Sequence, residues 1–250
     1  MPTPDRPVEA RPPALLVVEA GSVDRVPLEP GAELAYDLGE RRCAGAVDGT
    51  DHHACDRDDA PRCDGHTSTW VCARCTGTCL KDEMDCHDRH VVYLAGFAPA
   101  TVKVGVTRAW RFRVRLREQG ADRAAHLRTV SNGRIAREIE AEIATDLPDR
   151  VRVPTKIAGL GRPVDETAWE RVVAAHDAVG TYRFAYGLDL SARPVRETIA
   201  TGTVRGVKGR VLVLDRAGGT YAVDLRALVG HEVAEGGDDR SLQSNLGAFS

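Results

Sequence analysis

The chain has 250 residues, 42% of them hydrophobic and 28% charged, with a formal net charge of −3. That length can bury one large core or two small ones, and no apolar run approaches the roughly 18 residues a membrane helix needs. No charged-then-apolar segment opens the chain, so a cytoplasmic protein with no membrane partner is expected.

Residues 1–13 are rich in proline and read as a flexible tail. Ala14-Leu15-Leu16-Val17-Val18 then opens a β-rich part, 14–88, which also holds every cysteine. These are Cys43, Cys55, Cys63, Cys72, Cys75, Cys79 and Cys86. Such clustering, without a secretion signal, favours a metal site over disulfides. Cys72-Ala-Arg-Cys75 forms a tight knuckle whose two thiolates can face one ion, and Gly77 permits the turn. With Cys79 and Cys86 it offers four thiolates, the set tetrahedral zinc takes. Cys43, Cys55 and Cys63 remain, with His52, His53 and His66 as candidates for a fourth ligand. One or two zinc ions are therefore expected, and Cys43 pairing with the Cys72 knuckle stays open. The intervening VDGTDHHACDRDDAPRCDGHTST has almost nothing to bury and cannot offset its own ordering entropy. A structural zinc would supply that stabilisation, on the order of 10 kcal/mol in small zinc folds. Four thiolates leave no coordination position for water, so a structural ion is expected rather than a catalytic one.

Between 89 and 180 the pattern becomes α/β. HVVYLAGF and TVKVGVT are rich in β-branched residues and flank a Gly- and Pro-containing break, which predicts a hairpin. A helical pattern follows, then a strand near Ala124 to Val130, then a strongly periodic helix from Arg134. Ile135, Ile139, Ile143 and Leu147 recur every four residues and predict the buried stripe of that helix. At about 100° per residue, Glu140 and Glu142 each lie roughly 80° from the centre of this stripe, against roughly 120° for Glu138. Glu140 is the acid expected at the edge of a core.

Nine arginines lie between Arg108 and Arg137, against Glu118 and Asp122 as the acids. This local excess of positive charge in an acidic chain is the pattern of a nucleic-acid-binding face, with Arg108, Arg111, Arg113 and Arg134 as candidate contacts. A solvated, ion-paired helical face would produce the same composition.

Val164 to Val179 reads as one more amphipathic helix, with Asp165 as its N-cap. The stretch 181–234 is β-rich, and Gly202, Gly206 and Gly209 suggest bends of a small barrel that the strands around Leu15 and Leu34 would join. Residues 235–250 read as a second tail. The predicted fold class is thus α+β: a hairpin-helix-strand-helix domain joined to a small β-barrel with an inserted zinc-binding cysteine cluster.

At Val91-Val92-Tyr93, Lys103-Val104-Gly105, Arg115 with Gln119, and Ala136 with Glu140, the chain resembles the GIY-YIG nuclease superfamily. Lys103 stands where that superfamily has a second tyrosine. The resemblance implies a phosphodiester site in which Tyr93, Lys103, Gly105, Arg115 and Glu140 are catalytic, with Mg2+ at Glu140. A closer resemblance covers nearly the whole chain, to the family catalogued as domain of unknown function 2797. There the Cys-rich segment, HVVYLA…KVGVTR…REQGA and GTVRGVKGRVLVLD recur together, and no activity is implied.

Tyr93 faces a handicap as a base, since a phenol with pKa near 10 is only about 0.1% ionised at neutral pH. A neighbouring cation, Lys103 or Arg115, would have to offset it. Three readings follow. The first is a metal-dependent nuclease acting on DNA or RNA. The second is a non-catalytic nucleic-acid or ribonucleoprotein-binding module. The third is a zinc-stabilised protein-interaction module.

Overall fold

The computed structural model describes residues 12–67 and 87–236. From the N-terminus the strands are β1 (Ala14–Glu19), β2 (Ser22–Pro27), β3 (Glu33–Arg41), β4 (Ala46–Asp48) and β5 (Asp51–His53). Then come β6 (His90–Phe97), β7 (Thr101–Arg108), β8 (Arg123–Val130) and β9 (Gly180–Arg183). The last are β10 (Val195–Arg196), β11 (Ala200–Lys208), β12 (Val211–Arg216), β13 (Gly219–Asp224) and β14 (His231–Glu235). The helices are α1 (Phe112–Gln119), α2 (Gly133–Ile143), α3 (Val153–Ala158), α4 (Glu166–Ala174) and the single turn α5 (Leu225–Leu228). The result is a mixed α+β protein dominated by sheet, and its contacts divide it into two compact units.

One unit combines residues 12–67 with 186–236. Its larger sheet has the order β10-β13-β12-β11-β3-β14, and a second sheet runs β1-β2-β5-β4. Strand β12, Val-Leu-Val-Leu, is buried along its apolar run, as a strand covered on both faces should be. Leu28, Leu34, Ile199, Val204, Leu212, Leu214, Tyr221 and Val223 form the core. The expected small barrel does not close: among the described residues the sheet is open, with β10 and β14 at its edges. The strand containing Leu34 does pair with β11. The strand containing Leu15 instead pairs with β2 in the second sheet, and Leu15 joins only the core.

The other unit, within 87–185, is built on an antiparallel sheet of order β7-β6-β8-β9. Strand β6 is buried throughout. Its alternating side chains split between two cores, as the period of two requires. Val91, Tyr93, Ala95 and Phe97 pack with Phe112 and Leu116 of α1, while Val92 and Leu94 pack with Ala136 of α2 and Trp169 of α4. Asn132 caps α2 by accepting from the Ile135 amide at 3.0 Å, and Asp165 caps α4 through the Ala168 amide at 2.9 Å.

Helix α2 is rotated from the expected orientation. Its buried residues are Gly133, Ala136 and Glu140, whereas Ile135 is 38% exposed and Ile139 and Ile143 are only part-buried. The small Gly133 and Ala136 let the helix backbone approach the sheet, and the isoleucines flank that line of contact. Periodicity located the apolar side of the helix but not the small-residue line at its centre.

Candidate functional site

Within the 87–185 unit, Tyr93 and Gly105 sit directly opposite each other on β6 and β7, and Ala95 opposes Lys103 two residues on. Tyr93 is 1% exposed. Its ring lies against Gly105 so closely that a Cβ there would be 2.7 Å from the Tyr93 Cζ and Oη atoms. Gly105 is therefore required by the neighbouring ring and not by an unusual backbone angle. Gln119, the last residue of α1, donates to the Tyr93 hydroxyl at 2.6 Å, and Phe112 packs on the ring at 5.8 Å. The Gln119 carbonyl accepts in turn from Lys156 at 2.7 Å.

Lys103 is 8% exposed, an unusual place for an amine. Its Nζ donates to the Val104 carbonyl at 3.0 Å and the Asp149 carbonyl at 2.9 Å, and lies 5.8 Å from the Tyr93 ring centre. Beside it, the Val104 amide donates to the Pro148 carbonyl at 3.0 Å. The segment leaving α2 thus covers the edge strand β7.

Glu140 is also 8% exposed, and Arg137 donates to its carboxylate at 2.5 Å. This pair, three residues apart on α2, is not a surface one. Arg115 stands at the surface end of the group, bonded to Glu118 at 3.3 Å.

Charge couples these residues. Burial pushes the Lys103 amine down to about 8; Glu140 and Asp149 oppose the shift, while Arg115 and Arg137 reinforce it. Burial pushes the Tyr93 phenol above its ordinary range, opposed by the Gln119 hydrogen bond and by Arg115 and Arg137, and reinforced by Glu140. His90, at the start of β6, is held low by burial and by Arg108 and Arg137, against the Asp88 carbonyl and carboxylate. Tyr93, Lys103, Gly105, Arg115 and Glu140 therefore occupy one neighbourhood, and Gln119, Arg137 and Asp149 belong to it too. Gln119 drew notice only through its spacing from Arg115. Nothing in the sequence singled out Asp149, which contributes a backbone oxygen and the charge of its carboxylate.

The arginines chosen as nucleic-acid contacts are engaged within the fold. Arg108 pairs with Asp88 at 3.2 Å, Arg111 with Glu118 at 2.7 Å and Arg134 with Glu138 at 2.9 Å. Arg113 lies over the Tyr182 ring at 5.2 Å. Exposed pairs of this kind contribute about 0–1 kcal/mol, so a phosphate can displace them.

In the other unit, Cys43, Cys55, Cys63 and His66 bring three sulfurs and one ring nitrogen within 4.8 Å of one another, a group able to hold a metal ion. All three cysteines are free thiols. Burial opposes ionisation of the Cys43 thiol, but hydrogen bonds from the backbone of Cys63 and Gly45 and from the Cys63 and His66 side chains bring it down to about 6. Cys72, Cys75, Cys79 and Cys86 lie outside the described residues.

No curated protein and no solved structure matches this chain. A family model does, over residues 38–233, and it is described as "Protein of unknown function (DUF2797)". That span takes in the second half of β3, the Cys3His group, the whole Tyr93–Lys103–Glu140 neighbourhood and the strands β6 to β13, and the chain belongs to the DUF2797 family.

Proposed function

We propose that the 87–185 unit handles phosphodiesters of nucleic acid in the manner of a GIY-YIG nuclease, with Lys103 taking the place of the second tyrosine. The observation that supports this is the convergence of a buried lysine, a buried carboxylate and a buried phenol with two guanidinium groups, all within electrostatic reach of one another. Burying so many polar groups opposes stability, which makes such a cluster a functional-site candidate.

The roles follow from the protonation states. Tyr93 stays a neutral phenol, so it orients a bound group through its hydroxyl and does not act as a base. Lys103, with its amine at about 8, is about one-tenth neutral at pH 7. In that form it keeps its two donated bonds and presents a lone pair, so proton acceptance from an attacking water falls to it. Arg115 bears on the phosphate, with Arg111 beside it. Glu140 offers one carboxylate, and magnesium is commonly held by one or two carboxylates together with substrate phosphate and water. The donor set fits that ion only with the substrate's phosphate present. A bound Mg2+ would supply charge neutralisation at the scissile phosphate.

The test is a binding and cleavage series on short DNA and RNA with Mg2+ or Mn2+. Affinity should fall steeply with salt, because neutralised phosphates release counterions. Arg111→Glu with Arg115→Glu should weaken binding for all sequences alike. Glu140→Ala and Lys103→Met should abolish cleavage and leave binding near wild type. Absence of binding at low salt would retire the proposal.

A second reading, binding without cleavage, is favoured by the Arg137–Glu140 pair, since a metal ligand would first have to release that guanidinium. Binding with no cleavage under either metal would select it.

A further inference from the structure

The structure assigns Cys43, Cys55, Cys63 and His66 as a self-contained, closed zinc site that orders the segment between β3 and residue 67. This goes beyond the phosphodiester reading and concerns the other unit of the protein.

Geometry is the first support. With zinc–sulfur bonds near 2.3 Å and zinc–nitrogen bonds near 2.05 Å, tetrahedral ligands stand about 3.8 Å apart for S···S and about 3.6 Å for S···N. The Cys55 and Cys63 sulfurs are 3.9 Å apart. His66 Nδ1 is 3.4 Å from the Cys43 sulfur and 3.3 Å from the Cys63 sulfur. A single ring nitrogen has one proton or one lone pair, so hydrogen bonding alone cannot satisfy two thiols at those distances. A shared cation satisfies all four atoms.

The surroundings of the site supply a second support. The Cys63 amide donates to the Cys43 sulfur at 3.2 Å, the type of outer contact that steadies a thiolate ligand. Amides of His66 and Thr67 both donate to the Cys63 carbonyl, at 2.9 and 2.8 Å, which folds the Cys63-Asp-Gly-His66 turn back on itself. The alternative histidines are placed elsewhere: His52 Nε2 is engaged with the Ala44 carbonyl at 3.0 Å, and His53 is exposed.

The third support is what the segment otherwise lacks. From 43 to 67 the buried residues are Cys43, Gly45 and Cys63. The only buried side chains this segment has are therefore two of the ligands, Cys43 and Cys63, and an ion held by all four is its core. Three soft sulfurs and an imidazole select zinc over magnesium or calcium, and four protein ligands leave no place for a reactive water. The ion is structural, and Cys43 is committed to it and not to the Cys72 knuckle.

Metal analysis of the full chain, purified without chelator, tests the assignment. Zinc should remain at about one equivalent or more in wild type and in Cys72→Ser/Cys75→Ser, and should fall by about one equivalent in Cys55→Ser/His66→Ala. His66→Cys keeps four ligands and should retain the zinc. Its cobalt-substituted form should show stronger thiolate charge-transfer absorption than wild type, a readout that survives if the alanine variant fails to fold. Equal zinc in wild type and Cys55→Ser/His66→Ala, an unchanged cobalt spectrum in His66→Cys, or a Cys55–Cys63 disulfide in metal-free native protein would each overturn it.

Discussion

The Tyr93 ring lies against Gly105, its direct partner on β7, at a separation that leaves no room for a β-carbon. Gly105→Ala should therefore displace the ring and strain the strand pair, with a loss of about 1–3 kcal/mol by analogy with overpacked cores. Denaturant midpoints would show it. The same substitution in a Tyr93→Leu background should cost much less, because the clash is with the ring. Equal losses in the two backgrounds would assign the glycine to backbone geometry.

Lys103 predicts a pH dependence of stability. Its folded-state value of about 8 lies below the ordinary 10.5, so the unfolded chain holds the proton more tightly. Below pH 8 both states are protonated and the cost of burying the charge is fully present. Between about 8 and 10.5 the native state releases the proton first, and stability rises with pH, by on the order of 3 kcal/mol at full effect. Above 10.5 the gain is complete, and it is lost again as pH falls through 8. Lys103→Met should flatten this slope relative to wild type in unfolding experiments run from pH 7 to 10.5. Parallel slopes would mean the amine is not buried in solution.

Arg137 and Glu140 should behave as a coupled pair. Removing one partner leaves a buried charge alone, at a cost of about 3–5 kcal/mol, whereas Arg137→Met with Glu140→Met should cost far less than the sum of the single changes. A double-mutant cycle measures this coupling, and an additive result would place both groups in solvent.

Zinc removal should act locally. A strong chelator should expose 43–67 to proteolysis while the sheet of the 87–185 unit keeps its protection against amide exchange. Cleavage within 43–67 at the same rate before and after chelation would count against a structural ion.

Much of this was legible in the residues, for identifiable reasons. The β6–β7 hairpin announced itself through alternating β-branched residues, and the α4 cap through Asp165. Helix α2 was found but misoriented, because a hydropathy stripe rewards isoleucine and is blind to Gly133 and Ala136, whose smallness sets the contact. The open sheet was mistaken for a barrel since glycine bends in β11 carry no information about closure. Tyr93, Lys103, Gly105, Arg115 and Glu140 were chosen from a resemblance, and only the fold reveals their common electrostatics. Asp149 was invisible, because any residue supplies a carbonyl and its carboxylate acts on Lys103 only through the fold. His66 was one of three candidates until the turn at Cys63 distinguished it.

The chain that leaves α2 reaches back to the edge strand, where its Pro148 and Asp149 carbonyls accept from the Val104 amide and the Lys103 amine. The segment after the helix is thereby tied to the middle of the edge strand. Amides in the last turn of α2 and that of Val104 should then exchange with solvent as one cooperative opening, with a single free energy instead of two. An event that unseats Glu140 by loosening its helix would hydrate Lys103 in the same motion, so that the acid and the amine are protected, or exposed, together.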